Sequence, residues 1–201
     1  MFLILIASIY NAIILTLALL IILFEIYYEF FNLFKKIFTS SRIKLYLASL
    51  FVLIYVTSVI LLTWQIAINY NDNNTLYLFI IITICVSSDI GGYIFGKTFK
   101  GKKLINISPN KTYSGLIGAY LLSYVMVYFL YNSYLTLSFI AIYTFIISSI
   151  SQIGDIFISF LKRKSRIKDT GILIPGHGGL LDRLDGIIFA IPFGVIISQF
   201  I

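Results

Sequence analysis

The sequence is poor in charged residues and in the side chains that hold soft or borderline metals. Asp, Glu, Lys and Arg make up 11% of its 201 residues, whereas about 25% is usual for a soluble domain. The single cysteine, Cys85, excludes a disulfide framework and a thiolate metal cluster. The single histidine, His177, suits a zinc site poorly. The chemistry left to the chain is that of carboxylates, lysines and arginines.

Apolar residues dominate the rest of the chain. It is 60% hydrophobic, with a mean hydropathy of +1.00. About 20 helical residues are enough to cross a hydrocarbon core about 30 Å thick. Because backbone amides in lipid must be satisfied within their own segment, and period-2 alternation is absent, the apolar runs predict helices. We therefore predict an all-α integral membrane protein with about six transmembrane helices and cytoplasmic polar loops, the helices lying at 1–24, 45–68, 76–95, 115–131, 134–153 and 186–201.

The N-terminal part divides into an apolar run and an aromatic, charged segment. Residues 1–24 lack a basic leader and a small-residue cleavage site, which favours a membrane span over a removed signal peptide. Residues 25–38, "EIYYEFFNLFKKIF", predict an amphipathic helix in the membrane interface. Residues 1–44 are thus an N-terminal region, ahead of the main transmembrane region at 45–201.

The distribution of basic residues predicts the topology. All fifteen lysines and arginines lie in the long connections 25–44, 96–114 and 152–185, and none lies in the short turns 70–74 and 132–133. The positive-inside rule places these connections in the cytoplasm. The net charge of +7 is then explained by topology and anionic lipid head groups, and nucleic acid is not needed as a partner.

Two polar clusters border the third and fourth predicted spans. In "SSDIGGYIFGK" (87–97), Asp89 stands beside glycines near a span end, and a carboxylate there is a functional candidate. The alternative is a helix-end carboxylate neutralised by a nearby lysine. In "ISPNKTYSG" (107–115), Lys111 and the amides of the helix start could bind phosphate. The alternative is an ordinary helix entry.

A third cluster extends from Asp155 to Asp185. Asp155 and Ser159 are one helical turn apart and precede five basic residues. Asp182 and Asp185 are three residues apart, which places both on one face of a helix with Arg183 beside them. The glycines of "PGHGG" allow close approach of the backbone to a phosphate or metal, and oxygen ligands suit magnesium. For the histidine, a hydrogen-bonding loop role and a catalytic role both stay open.

The run "SFLKRKSRIKDTGILIPGHGGLLDRLD" (159–185) resembles the signature of the phosphatidate cytidylyltransferase family. The stretches "DIGGYIFGK" and "SPNKTYSG" are similar to two further family segments. The resemblance covers the chain from about residue 87 to its C-terminus. The fixed positions that match are Ser159, Lys162, Arg163, Lys168, Asp169, Pro175, His177, Gly178, Gly179, Asp182, Arg183 and Asp185.

The resemblance implies a nucleotidyltransferase of a bacterial-type inner membrane. Such enzymes join CTP to phosphatidic acid with magnesium, giving CDP-diacylglycerol and pyrophosphate for phospholipid synthesis. It implies that Asp155 and Asp182 hold the metal, and that Asp185 and Lys168 complete the catalytic set. The substrate-binding residues that it implies are Lys111, Ser159, Lys162, Arg163, His177, Arg183 and Asp89.

The sequence also departs from the family in places. Family members usually carry more spans and a longer N-terminal part, and Tyr113 and Ser114 replace a usual Trp followed by Glu or Gln. "DRLDG" (182–186) begins like the CDP-alcohol phosphotransferase motif but lacks its later aspartates. An isoprenoid lipid phosphate as acceptor, a transporter role and a membrane scaffold role are also compatible with the sequence. A homodimer and a second, monovalent cation stay open.

Overall fold

The computed structural model describes residues 12–69, 73–105, 108–171 and 178–200. Within these ranges the chain forms six α-helices and one two-stranded hairpin, and the predicted all-α class is confirmed. The elements are α1 (Ala12–Ile37), α2 (Arg42–Ile68), α3 (Asn73–Phe99), β1 (Lys103–Ile105), β2 (Ser108–Thr112), α4 (Tyr113–Tyr131), α5 (Leu137–Lys164) and α6 (Leu181–Ile197).

Helix α1 runs without a break through the segment for which we predicted an interfacial helix. The helical conformation of this segment is confirmed, whereas its place in the interface stays a prediction. One stripe of α1 is buried, at the spacing of three and four residues that puts side chains on one helix face; it comprises Leu15, Leu19, Ile22, Ile26, Glu29, Phe30, Leu33 and Phe34. Helix α1 packs on α2, and the Trp64 indole donates to the Thr16 hydroxyl at 2.9 Å.

Five of the helices, α1 to α5, are long and apolar enough to cross a membrane. Large apolar side chains such as Phe51 (72% exposed) and Phe129 (75% exposed) lie on their outer surfaces. So much exposed apolar surface is unfavourable in water and is expected where lipid covers it. Helix α6 has 17 residues, with Pro192 inside it. Its predicted role as a sixth span stays a prediction.

Glycines bring α3 and α4 into close contact. A Cβ atom on Gly91 would lie 2.9 Å from the carbonyl carbon of Gly118, and one on Gly115 would lie 2.8 Å from the carbonyl oxygen of Gly92. Small residues allow helix backbones to approach in this way in membranes. The antiparallel hairpin β1–β2, which pairs Lys103 with Thr112, connects α3 to α4 and was not predicted from the sequence.

The contacts group the chain into two compact units. Unit 1 comprises Met1–Thr75 and Leu161–Asp185, and unit 2 comprises Leu76–Phe160 and Gly186–Ile201. The predicted boundary at residue 44 rests on composition and stays a prediction. Each unit contains one of the two polar clusters described below.

Candidate active site

The polar cluster of unit 2 is centred on Asp155 of α5. Lys111, at the end of β2, places its Nζ atom 2.5 Å from Asp155 Oδ2 and donates to the Gln152 carbonyl at 3.4 Å. The Ser159 hydroxyl, one helical turn further along α5, donates to Asp155 Oδ1 at 3.4 Å. The hairpin thus delivers a lysine to a carboxylate that the helix carries. We call these residues, with Asp89, the Asp155 cluster.

Asp89 joins this cluster from α3. Its carboxylate interacts electrostatically with both Asp155 and Lys111, and its side chain is exposed. Two carboxylates therefore share one nearby lysine. Three predicted site residues from separate stretches of sequence, Asp89, Lys111 and Asp155, lie together in the fold.

The start of α4 is partly occupied by its own side chains. The Thr112 hydroxyl caps the helix by accepting from the Gly115 amide at 3.1 Å, as is usual for a threonine in this position. The Ser114 hydroxyl contacts Thr112 Oγ1 at 3.0 Å and the Lys100 carbonyl. Of the groups expected to bind phosphate here, the Gly115 amide already has a partner and Lys111 pairs with a carboxylate.

The polar cluster of unit 1 is centred on Asp182, in the first turn of α6. Its Oδ1 atom accepts from Lys162 Nζ at 2.7 Å. Its Oδ2 atom accepts from the Thr170 amide at 2.8 Å, the Thr170 hydroxyl at 3.0 Å and the Gly179 amide at 3.1 Å. We call these residues the Asp182 cluster. Lys162 and Asp182 are two of the residues predicted to bind substrate or metal, and the structure brings them together.

The charge state of Asp182 follows from these partners. Burial alone would raise its pKa, but the hydrogen bonds from Lys162, Thr170 and Gly179 outweigh burial and hold the pKa below the usual value. Hydrogen bonds donated to the charged form of a carboxylate favour that form. Asp182 is therefore ionised at neutral pH.

A buried glutamate that sequence reasoning missed lies beside the Asp182 cluster. Glu29 of α1 is 2% exposed. It accepts from the Leu180 amide at 2.8 Å, the Leu181 amide at 3.0 Å and the Thr170 hydroxyl at 2.5 Å. The signal in the sequence was a carboxylate at helical spacing from Ile22 and Ile26 within an apolar stripe. This spacing does not by itself identify Glu29, because the sequence does not show which face of α1 is buried.

The glycines before α6 allow close approach to carboxylates. Gly178 has a φ of +84°, in the left-handed region that favours glycine, and a Cβ there would lie 2.9 Å from Asp182 Oδ2. A Cβ on Gly179 would overlap Glu29 and the Thr170 hydroxyl. We predicted approach to a phosphate or metal at these glycines; the contacts in the structure are with Glu29 and Asp182.

Comparison with known proteins identifies the group to which the chain belongs. Residues 1–201 match the family model that is described as "Cytidylyltransferase family". The chain belongs to the cytidylyltransferase family. A phosphatidate cytidylyltransferase of Rickettsia typhi is 43% identical over 145 residues, covering 65% of this chain and 62% of that protein. Proteins of the same name from Bacillus subtilis and Helicobacter pylori are 36% and 34% identical, covering 62% and 60% of this chain and 48% and 46% of those proteins.

The match confirms the resemblance on which the site prediction rests. The chain spans less than two thirds of the length of these relatives, from 46% to 62%. Four further residues of the family signature are close in sequence to members of the Asp182 cluster. Arg163, Lys168 and Arg183 are exposed, and Asp185 is half-buried. His177 and Pro175 lie outside the described residues.

Proposed function

We propose that this member of the cytidylyltransferase family transfers CMP from CTP to phosphatidic acid and so forms CDP-diacylglycerol and pyrophosphate. The observation that carries the proposal is the meeting of signature residues at Asp182. Lys162, 20 residues away in sequence, lies 2.7 Å from its carboxylate. The whole-chain family match and the names of the relatives support the same activity.

The proposed reaction needs charge neutralisation more than proton transfer. An oxygen of the lipid phosphate attacks the α-phosphorus of CTP, and the bond from that phosphorus to the oxygen bridging to the β-phosphate breaks. Pyrophosphate leaves with the bonding electrons. Because a phosphate monoester is already ionised at neutral pH, no general base is required. Positioning and the neutralisation of phosphate charge then account for catalysis.

The exposed basic side chains are suited to hold the phosphates. Arg163, Lys168 and Arg183 are exposed, so an anionic substrate can approach each of them from solvent. Lysines 111 and 162 are now paired with aspartates. When the triphosphate of CTP approaches, each lysine can leave its aspartate and pair with a phosphate group instead. We propose that Lys111 and Lys162 contribute to CTP binding in this way.

Magnesium is part of the proposal, and Asp155 and Asp182 are each proposed as a protein ligand. The donor set fits, because magnesium prefers hard oxygen ligands and usually binds through one or two carboxylates together with substrate phosphates. Among the described residues, no group of three or more acidic, histidine or cysteine side chains is placed to hold a metal ion such as magnesium. When bound, it would neutralise phosphate charge during the transfer.

An apolar groove supports a lipid as the acceptor. A groove of about 320 Å³ lies in unit 2, lined by Ile150, Ile153, Gly154, Phe157, Phe189 and Phe193. One lining residue, Gly154, directly precedes Asp155 in α5. Its lining is suited to an acyl or isoprenoid chain, since burying apolar surface is favourable at about 25 cal/mol per Å². A soluble sugar phosphate would gain nothing from such a groove.

Labelled CTP and a panel of lipid phosphates test the proposal. Purified protein with magnesium should convert phosphatidic acid to labelled CDP-diacylglycerol faster than it converts an isoprenyl phosphate or glycerol 3-phosphate. If the isoprenyl phosphate reacts faster than phosphatidic acid, the acceptor is an isoprenoid lipid phosphate and not phosphatidic acid. No CDP-lipid from any acceptor, with the protein folded, would reject the activity in favour of a transport or scaffold role.

The polar loops are proposed to face the cytoplasm, because every lysine and arginine lies in three of the connections. A cysteine replacing Ser133, between α4 and α5, should react with an impermeant thiol reagent added to intact cells. A cysteine replacing Lys103, on β1, should react only after permeabilisation. Each variant should be made in a Cys85→Ala background. Labelling of position 103 in intact cells would reverse the proposed orientation.

A further inference from the structure

Glu29 is a buried carboxylate outside the signature. It stands on the buried stripe of α1, between Ile26 and Phe30, and 141 residues separate it from Thr170, its hydrogen-bond partner. A buried carboxylate is unfavourable unless donors surround it. Its retention in an apolar stripe therefore calls for a specific set of partners.

Those partners belong to the start of α6. Glu29 Oε1 accepts from the Leu180 amide and Oε2 from the Leu181 amide. The first amides of a helix have no partner within the helix, and the positive end of the helix dipole favours a carboxylate there. Helix α1 thus provides the N-terminal cap of α6 from a remote part of the sequence.

One residue links Glu29 to Asp182. The Thr170 hydroxyl lies 2.5 Å from Glu29 Oε2 and 3.0 Å from Asp182 Oδ2. The Thr170 amide also donates to Asp182 Oδ2. Because a hydroxyl carries a single proton, the two carboxylates share one donor and hold Thr170 between them. Gly179 has room only for a hydrogen on the side that faces Glu29, and its amide donates to Asp182.

We propose that Glu29 is a positioning residue for cytidylyl transfer: it fixes Thr170 and the start of α6, and through them the orientation of the Asp182 carboxylate. It does not touch substrate. The inference rests on the proposed function for its catalytic consequence, whereas the linkage itself rests on the contacts alone.

The test compares Glu29→Gln with Glu25→Gln in the full chain in detergent. Both variants replace a carboxylate with an amide of the same shape. The two positions are one helical turn apart on α1. At position 29 the new –NH2 group faces a backbone N–H donor in either orientation, that of Leu180 or that of Leu181. Hydrogen–deuterium exchange of a peptide covering residues 178–184, the melting temperature, and kcat and KM for CTP are measured for each.

Glu29→Gln should speed exchange in residues 178–184 about 10-fold or more, since a weakened cap opens more often. It should lower kcat about 10-fold or more and change KM for CTP by less than about threefold, as expected when the reacting geometry is lost and the binding groups remain. Glu25→Gln should match wild type in every measurement.

Adding Thr170→Val separates positioning from general stability. If Glu29 acts through Thr170, the double variant should have nearly the kcat of the worse single variant. Additive losses would reject the linkage, and so would unchanged exchange in residues 178–184. Faster exchange with a normal kcat would reject the positioning role and leave a structural cap. Should wild type form no CDP-lipid, the proposed function fails, while the exchange result still decides the linkage.

Discussion

The Asp155 and Asp182 clusters are both built on an aspartate paired with a lysine, but they differ in what else holds the aspartate. Asp155 has two side-chain partners, Lys111 and Ser159. Asp182 has one lysine and three donors from residues 170 and 179, two of them backbone amides. The side chain of Asp155 is 30% exposed and that of Asp182 11%.

The difference is one of rigidity. Side-chain partners can rotate away when a substrate arrives, whereas backbone amides are fixed by the fold. Every partner of Asp182 is a donor, so only an ionised carboxylate satisfies all of them. Ser159 can donate or accept, so the Asp155 cluster tolerates a change of side chain more readily. Asp182 is therefore held more rigidly by its partners than Asp155 is.

The largest expected effect is that of Asp182→Asn. An asparagine must point its amide group either at Lys162 or at the donors of Thr170 and Gly179, so a donor faces a donor in both orientations. We expect turnover to fall at least about 100-fold and the melting temperature to fall by about 5 °C. CDP-lipid formation and a melting curve in detergent measure the two effects.

The control for this substitution is Asp72→Asn, which lies outside the signature. It should retain wild-type turnover and melting temperature. Normal turnover in Asp182→Asn would remove this residue from the metal and catalytic set.

Asp155→Asn should lower turnover about 100-fold, as expected for a metal ligand, but leave the melting temperature within about 2 °C. Its oxygen can still accept from Lys111, and its amide can donate to the Ser159 hydroxyl. The same two assays apply. A loss of stability as large as that of Asp182→Asn would contradict this difference in rigidity between the two carboxylates.

Substitution of the lysines should have a smaller effect. Lys111→Ala and Lys168→Ala should each raise KM for CTP about 10-fold, because each removes one of the charges proposed to bind phosphate. Lys44→Ala, an exposed lysine in the first turn of α2, removes the same charge outside the signature. Equal losses in all three variants would indicate general attraction to the membrane surface.

The smallest effect concerns pH. Because the pKa of Asp182 is held below its usual value of 3.8, its contribution to stability is complete above that value and is lost as the pH falls through the folded-state pKa. The difference in melting temperature between wild type and Asp182→Asn should therefore shrink between about pH 7 and about pH 3. A difference independent of pH would show that the charge of Asp182 does not stabilise the fold.

Much of the site was predictable because its residues lie in the family signature or in the polar clusters that precede it in the sequence. Asp155, Lys162 and Asp182 were predicted from sequence, and the structure places each next to a basic or acidic partner. The roles assigned to them stay predictions. Glu29 and Thr170 were missed, since their importance arises from contacts between residues more than one hundred positions apart. The hairpin β1–β2 was missed as well, because its strands of three and five residues carry no apolar alternation.

The sequence by itself determined that the chain is a helical membrane protein. Runs of apolar residues can satisfy their backbone amides in lipid only as helices, and that constraint acts within each segment. Only the tertiary structure decided which donors surround each aspartate. Hydrogen-bond partners depend on the approach of side chains within about 3 Å, and this proximity is produced by the packing of α1 and by the glycines before α6. The constraint on the helices is local, whereas the environment of Asp182 depends on residues from three separate parts of the chain.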